Sequence, residues 1–132
     1  MKKVYLSYHD IHTDCIKLSK IIRKKYNPKK IAIISKGGLV PASIIAHYLE
    51  IEDINIITIR NIKEIKSLEK IIVVNDLINT GKTAEIIKKN IPNSKLIVLY
   101  KKKSIKKNCD LSLYEFNSNE LIVLPWENQL DI

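Results

Sequence analysis

The sequence predicts one α/β domain on a doubly wound, mainly parallel sheet with helices on both faces and a small C-terminal hood. Three observations carry that expectation. Ile31 to Ile34 and Ile71 to Val74 are continuous apolar runs rich in β-branched residues, the pattern of strands covered on both faces. Such runs alternate with single helical segments, which requires parallel pairing through right-handed crossovers. Glycine turns follow two of the runs, at the strand ends where sheets of this class bind ligands.

In chain order, Val4 to Leu6 form a short strand, and Ser7 and Asp10 are candidate caps for a helix with Ile11, Cys15, Leu18 and Ile22 on one stripe. Asn27-Pro28 ends that helix, and Ile31 to Ile34 give the first fully apolar strand. Ser35-Lys36-Gly37-Gly38 is the next turn. Pro41 sits where a helix begins, with φ preset and a donor missing that would have no partner anyway, and Ala42 to Leu49 continue it. Ile54 to Ile59 read as a strand, Asn61 to Lys70 as a polar connection and Ile71 to Val74 as the second fully apolar strand. Ala84 to Asn90 read as a helix and Leu96 to Tyr100 as a strand. Beyond Lys102 the pattern breaks into short segments, Asp110 to Phe116 and Leu121 to Trp126. Residues 1–132 are thus expected to form one domain, with a core over about 1–102 and the hood over about 103–132.

A chain of 132 residues, 45% hydrophobic, can bury a substantial core without staples. No apolar run reaches membrane-spanning length, and the stretch after Met1-Lys2-Lys3 is too short for a signal peptide, so a cytoplasmic protein with no membrane partner is expected. Cys15 and Cys109 lie in unrelated contexts, which fits a reducing compartment. The net charge of +9 is almost all lysine, since Arg23 and Arg60 are the only arginines. The clusters Lys101 to Lys103 and Lys106-Lys107 have no aromatics spaced as a base-stacking platform, so nucleic acid is not expected as a partner. His9, His12 and Cys15 drift around the helix cylinder, and Cys15 belongs to the apolar stripe, which argues against a zinc site.

The most informative segment is Ile71-Ile-Val-Val-Asn-Asp-Leu-Ile-Asn-Thr-Gly-Lys-Thr83. Asp76 falls at the carboxyl end of a buried strand, and Asn79, Thr80, Gly81, Lys82 and Thr83 lead into a helix whose dipole and free amides favour an anion. A carboxylate that accepts from sugar hydroxyls or holds a divalent cation, followed by a phosphate cradle, suits a phosphorylated sugar. Gly81-Lys82-Thr83 looks like the end of an ATP-binding P-loop, but Asp76 occupies the place of the first glycine and would repel a triphosphate.

These features together resemble the type I phosphoribosyltransferases over nearly the whole chain. Ile34 to Pro41 is similar to the pyrophosphate loop of the family's purine enzymes, Val73 to Thr83 to the phosphoribosyl pyrophosphate signature, and Leu124-Pro-Trp-Glu127 to the closing segment. The resemblance implies transfer of ribosyl 5-phosphate from phosphoribosyl pyrophosphate to a 6-oxopurine, with magnesium (Mg2+) as cofactor and a homodimer or homotetramer as the assembly. It implies that Ser35, Lys36, Gly37 and Gly38 hold the pyrophosphate, that Asn75 and Asp76 contact the ribose, and that Asn79 to Thr83 wrap the 5′-phosphate. On the base side it implies Lys102 at the exocyclic oxygen, Leu121 packed on the purine and the Ile122 carbonyl at its ring, with Asp76 and Glu127 as metal ligands. Trp126 is assigned to the core.

Leu121 stands where the family usually places an aromatic that stacks on the purine, and the chain departs from the family at three further places. Asn79 stands where purine enzymes carry the aspartate that handles the proton on N7, and Asn75 likewise replaces an acid. The connection from Asn61 to Lys70 is short for the family's lid, which leaves room for one supplied by another subunit. The departures define an alternative reading, a regulatory protein that senses a nucleotide or phosphoribosyl pyrophosphate without turning it over, and the +9 charge adds RNA binding as another.

Overall fold

The structure, a computed structural model, describes residues 1–64, 71–106 and 108–127. The elements are β1 Lys2–Tyr5, α1 Tyr8–Lys25, β2 Lys30–Ile34, α2 Leu39–Leu49, β3 Asp53–Ile57, β4 Ile71–Ile78, α3 Lys82–Asn90, β5 Lys95–Lys102, β6 Leu111–Phe116 and β7 Glu120–Val123. A 3-10 turn, Ile62–Glu64, follows β3. Five strands form one sheet in the order β3-β2-β4-β5-β6, with every neighbouring pair parallel. β1 and β7 pair in parallel as a separate two-stranded sheet.

The apolar runs produce this arrangement because each feeds two cores. Along β2, Ile31 and Ile33 enter a cluster with Ile11, Cys15, Leu18 and Ile22 of α1 and Ala42 and Ile45 of α2. Ala32 and Ile34 point the other way, to Ala84 and Ile87 of α3. The stripe expected on α1 is fully buried, and Ser7 and Asp10 close a capping box at its start. Asn27, at φ 43°, turns the chain out of that helix before the buried Pro28.

Three elements differ from expectation. α2 starts at Leu39 with Gly38 as N-cap, so Pro41 is its third residue, a position whose N–H also lacks a partner within a helix. β4 does not stop at the end of its apolar run. Asn75, Leu77 and Ile78 continue the ladder against Val98, Tyr100 and Lys101 of β5. Leu111–Phe116, expected in the hood, instead extends the main sheet beside β5, which leaves β1 and β7 as the paired strands outside it.

A single carboxylate ties β6 into place. The Leu96 amide donates to Asp110 Oδ2 at 2.8 Å, and the Lys88 ammonium bonds the same oxygen while also donating to the Ser94 carbonyl at 2.9 Å. Asp110→Ala would strand a half-buried amide and an ammonium together. Urea titration should show a loss of about 1–3 kcal/mol. Among the described residues no helix is long and apolar enough to cross a membrane.

Candidate functional site

The order of the main sheet reverses between β2 and β4: the chain proceeds outward from β2 to β3 on one side and from β4 through β5 to β6 on the other. A crevice opens at the carboxyl ends of strands at such a reversal. Both glycine turns flank it, Ser35 to Gly38 after β2 and Asn79 to Gly81 after β4. The chain has only three glycines, and all three are here.

Packing explains two of them. A Cβ on Gly37 would lie 2.6 Å from Asp76 Oδ1 and 2.8 Å from Oδ2, so the absent side chain is what lets the first turn rest on the Asp76 carboxylate. A Cβ on Gly38 would lie 2.3 Å from the Val74 carbonyl oxygen, which fixes the turn against the β4 backbone. Gly81 answers a different need. It caps α3 at φ 84°, a left-handed conformation that strains any residue with a side chain.

The helix starts at the crevice are open. α1 is closed by its Ser7 box, whereas neither α2 nor α3 has a side-chain cap. The first-turn amides of Lys82, Thr83 and Ala84 therefore have no acceptor within the helix, and the Lys82 amide reaches only the Thr80 hydroxyl, at 3.4 Å. A pocket of about 180 Å³ lies against them, lined by Asn75, Asn79, Thr80, Gly81 and Thr83 over a floor that includes Ile78 and Ile87. In the first turn the amides are divided. Ser35 N donates to the Ile57 carbonyl at 3.1 Å and Gly38 N to the Ile34 carbonyl at 2.7 Å, so the amides of Lys36 and Gly37 are the two without a backbone acceptor among the described residues. Ser35 retains its hydroxyl.

Asp76 has an unusual balance for a carboxylate. Burial raises its pKa to about 6, Glu127 nearby adds to the rise, and hydrogen bonds from the Leu77 and Asp76 amides and the Trp126 indole oppose it. Asn75 Oδ1 accepts from the Asp76 amide at 2.9 Å, holding the two side chains in register. Sequence reasoning placed Trp126 in the core, and it does pack against the larger cluster. Its link to Asp76 was not legible, although its position beside Glu127 in the closing segment was a signal. Tyr8 backs it, with ring centroids 6.4 Å apart.

The base-side candidates occupy two elements. Lys102 ends β5, beside Lys101, which reaches Glu115 at 4.0 Å. Leu121 and Ile122 lie in β7 opposite Lys3 and Val4, with Leu121 exposed and Ile122 buried. Of the expected lid, Asn61 folds back on Thr58 through reciprocal bonds of 2.8 and 3.2 Å, and residues 65–70 lie outside those described. Cys15 is fully buried, which pushes its thiol up to about 12, while His9 and His12 are exposed.

No model of a protein family matches the chain. Individual relatives do. The chain is 32% identical over 142 residues to the xanthine-guanine phosphoribosyltransferase of Desulfotalea psychrophila, spanning 97% of this chain and 89% of that one. The chain belongs to the xanthine-guanine phosphoribosyltransferase family. A second member, from Nitratidesulfovibrio vulgaris, is 27% identical over 98% of the chain. Among solved structures, the purine phosphoribosyltransferase of Pyrococcus horikoshii aligns with a TM-score of 0.79 at 26% identity, covering 100% of this phosphoribosyltransferase and 98% of its own chain. The xanthine-guanine-hypoxanthine phosphoribosyltransferase of Helicobacter pylori shares the fold, with a TM-score of 0.80 at 22% identity over 95% of this chain.

Proposed function

We propose that this phosphoribosyltransferase transfers ribosyl 5-phosphate from phosphoribosyl pyrophosphate to a 6-oxopurine, releasing pyrophosphate. The observation that carries the reading is the contact of the Ser35 to Gly38 turn with Asp76, beside the uncapped start of α3. One carboxylate thus stands between two groups of unpaired amides, a layout matched to a sugar with an anion at each end.

In this reading the amides of Lys36 and Gly37, the Ser35 hydroxyl and the Lys36 ammonium take the pyrophosphate. Asn75 and Asp76 accept from the ribose hydroxyls, and Asn79 to Thr83 close around the 5′-phosphate. The bond from the anomeric carbon to pyrophosphate oxygen breaks as a bond to a purine nitrogen forms; the electron pair leaves with pyrophosphate, and the ring N–H proton of the purine passes to water or to the departing pyrophosphate. Positive charge then develops on the sugar next to the Asp76 carboxylate, which stabilises it, while the turn amides stabilise the leaving group. No protein nucleophile is needed. Lys102 and the Ile122 carbonyl orient the base, and Leu121 packs on its face.

The donor set suits a magnesium ion. Among the described residues no three His, Cys, Asp or Glu side chains converge on a point, and magnesium typically takes only one or two carboxylates, keeping waters and substrate oxygens for its other positions. Asp76, whose ionisation the nearby Glu127 opposes, would hold it together with Glu127. The ion supplies neutralisation of the pyrophosphate charge.

Incubation with magnesium, phosphoribosyl pyrophosphate and guanine, xanthine, hypoxanthine or adenine, followed by chromatography, tests the reading. A 6-oxopurine nucleotide is expected, and no nucleotide from any base would overturn it. Asn79 defines a further expectation. Its amide cannot accept the purine proton, so Asn79→Asp should raise kcat by about 10- to 100-fold in steady-state assays, most clearly near neutral pH.

A further inference from the structure

β5 turns over near its end. Along it Ile97 and Leu99 enter the core on the α1 side, while Leu96 and Val98 enter the core on the α3 side. Simple alternation would send Tyr100 to the α3 side. It joins the α1 side instead, directly after Leu99, so the faces of the strand exchange between these two residues. Everything beyond is displaced with it. Lys102 comes to share the α1 face with Tyr100 and with Phe116, its partner in β6, and Lys101 takes the opposite face. The α1 face is the one on which β7 stands, because Ile122 belongs to that same core.

A hydrogen bond to α1 ties down the displaced end. The Tyr100 hydroxyl donates to Asp14 Oδ2 at 2.5 Å. Burial, and then the carboxylate itself, hold the phenol well above its ordinary pKa, so it stays protonated and able to donate. Tyr114, opposite Tyr100 on β6, stacks on it with ring centroids 6.5 Å apart. The Tyr114 hydroxyl accepts in turn from Lys17 Nζ at 3.2 Å, three residues along α1 from Asp14. Phenylalanine would fill the space of Tyr100 without needing a partner, and a carboxylate drawn out of water for one phenol gains the fold little. The value of the pair therefore lies in where it sends the chain that follows.

We infer that Asp14 and Tyr100 are positioning residues for base recognition, their bond holding the turned-over end of β5 so that Lys102, and not Lys101, faces β7. Without that bond the end of β5 can return to plain alternation, a change of one residue that exchanges the two lysines between faces. The inference rests on the proposed role of Lys102 at the exocyclic oxygen of the purine, and it adds two residues that touch no substrate.

Calorimetric titration of the full chain with inosine monophosphate and with adenosine monophosphate tests it, since the two share sugar and phosphate and differ at the 6-position of the purine. Wild type should prefer the 6-oxo nucleotide by at least about tenfold. Tyr100→Phe should cut that preference about tenfold by weakening inosine monophosphate alone, and Lys102→Met should do the same. The two changes together should cost no more than either, because they remove one contact. A merely structural role for Tyr100 would weaken both nucleotides and leave their ratio unchanged, and that result would overturn the inference, as would losses that add in the double variant. A ratio unmoved by Lys102→Met, or no binding of either nucleotide, would overturn the proposed base or phosphosugar contacts and the inference with them. Should Tyr100→Phe fail to fold, Asp14→Asn keeps an acceptor in place without its charge; it should lower the ratio about threefold, and an unchanged ratio there would be equally decisive against the inference.

Discussion

Asp76→Asn is expected to lower kcat/KM by at least about 10²-fold while making the unliganded protein more stable. The stability change follows from the sign of the pKa shift. Asp76 in the fold titrates near 6, above its ordinary 3.8, mainly because burial opposes its charge. Above pH 6 the carboxylate is ionised in both folded and unfolded chains, and the fold bears the whole cost of burying it, on the order of 2–3 kcal/mol. Below pH 4 it is protonated in both, and the cost vanishes. Thermal melts of the two proteins should therefore differ most above pH 6, with the variant higher, and converge as pH falls from 6 towards 4. A variant less stable than wild type at pH 7 would mean that the amide and indole bonds to Asp76 outweigh its desolvation.

Gly37→Ala should lose activity with little loss of fold. Its φ is not positive, so alanine brings no backbone strain, but the new methyl would sit 2.6–2.8 Å from Cγ and both carboxylate oxygens of Asp76. The carboxylate can rotate away, at a cost of about 1 kcal/mol. A displacement on the order of 1 Å at a group that positions substrate costs about 10²-fold in turnover. Gly38→Ala separates the two effects, because its methyl meets the Val74 carbonyl at 2.3 Å, backbone that cannot step aside. Denaturation and steady-state kinetics on the pair should show Gly37→Ala folded and slow, and Gly38→Ala poorly folded.

The parts of this protein that sequence made legible are those governed by local rules. The Ser7 box, the stripe from Ile11 to Ile22 and the two-sided runs of β2 and β4 depend on spacing alone, and the structure contains them. The signature around Asp76 could be assigned a ligand because an acid followed by a hydroxyl-bearing glycine turn has few other uses. Long-range pairing was not legible. Leu111 to Phe116 alternates like a half-covered strand, which says nothing of whether its partner is β5 or a hood strand, and Asp110, the residue that settles it, acts through the Leu96 amide 14 residues away. Likewise Gly37 could be given a turn, but not the carboxylate 39 positions on whose approach it permits. The division of amides in the first turn depends on Ile57, in another strand.

The central claim is that the open start of α3 holds the sugar phosphate while the turn at Gly37 holds the pyrophosphate. Backbone amide resonances of the 15N-labelled protein, followed first with guanosine monophosphate and then with added magnesium and pyrophosphate, test it most directly. The account predicts that the nucleotide shifts the amides of Gly81 to Ala84, and that pyrophosphate then shifts those of Lys36 and Gly37. Amides at Gly81 to Ala84 that stay unmoved at saturating nucleotide would contradict it.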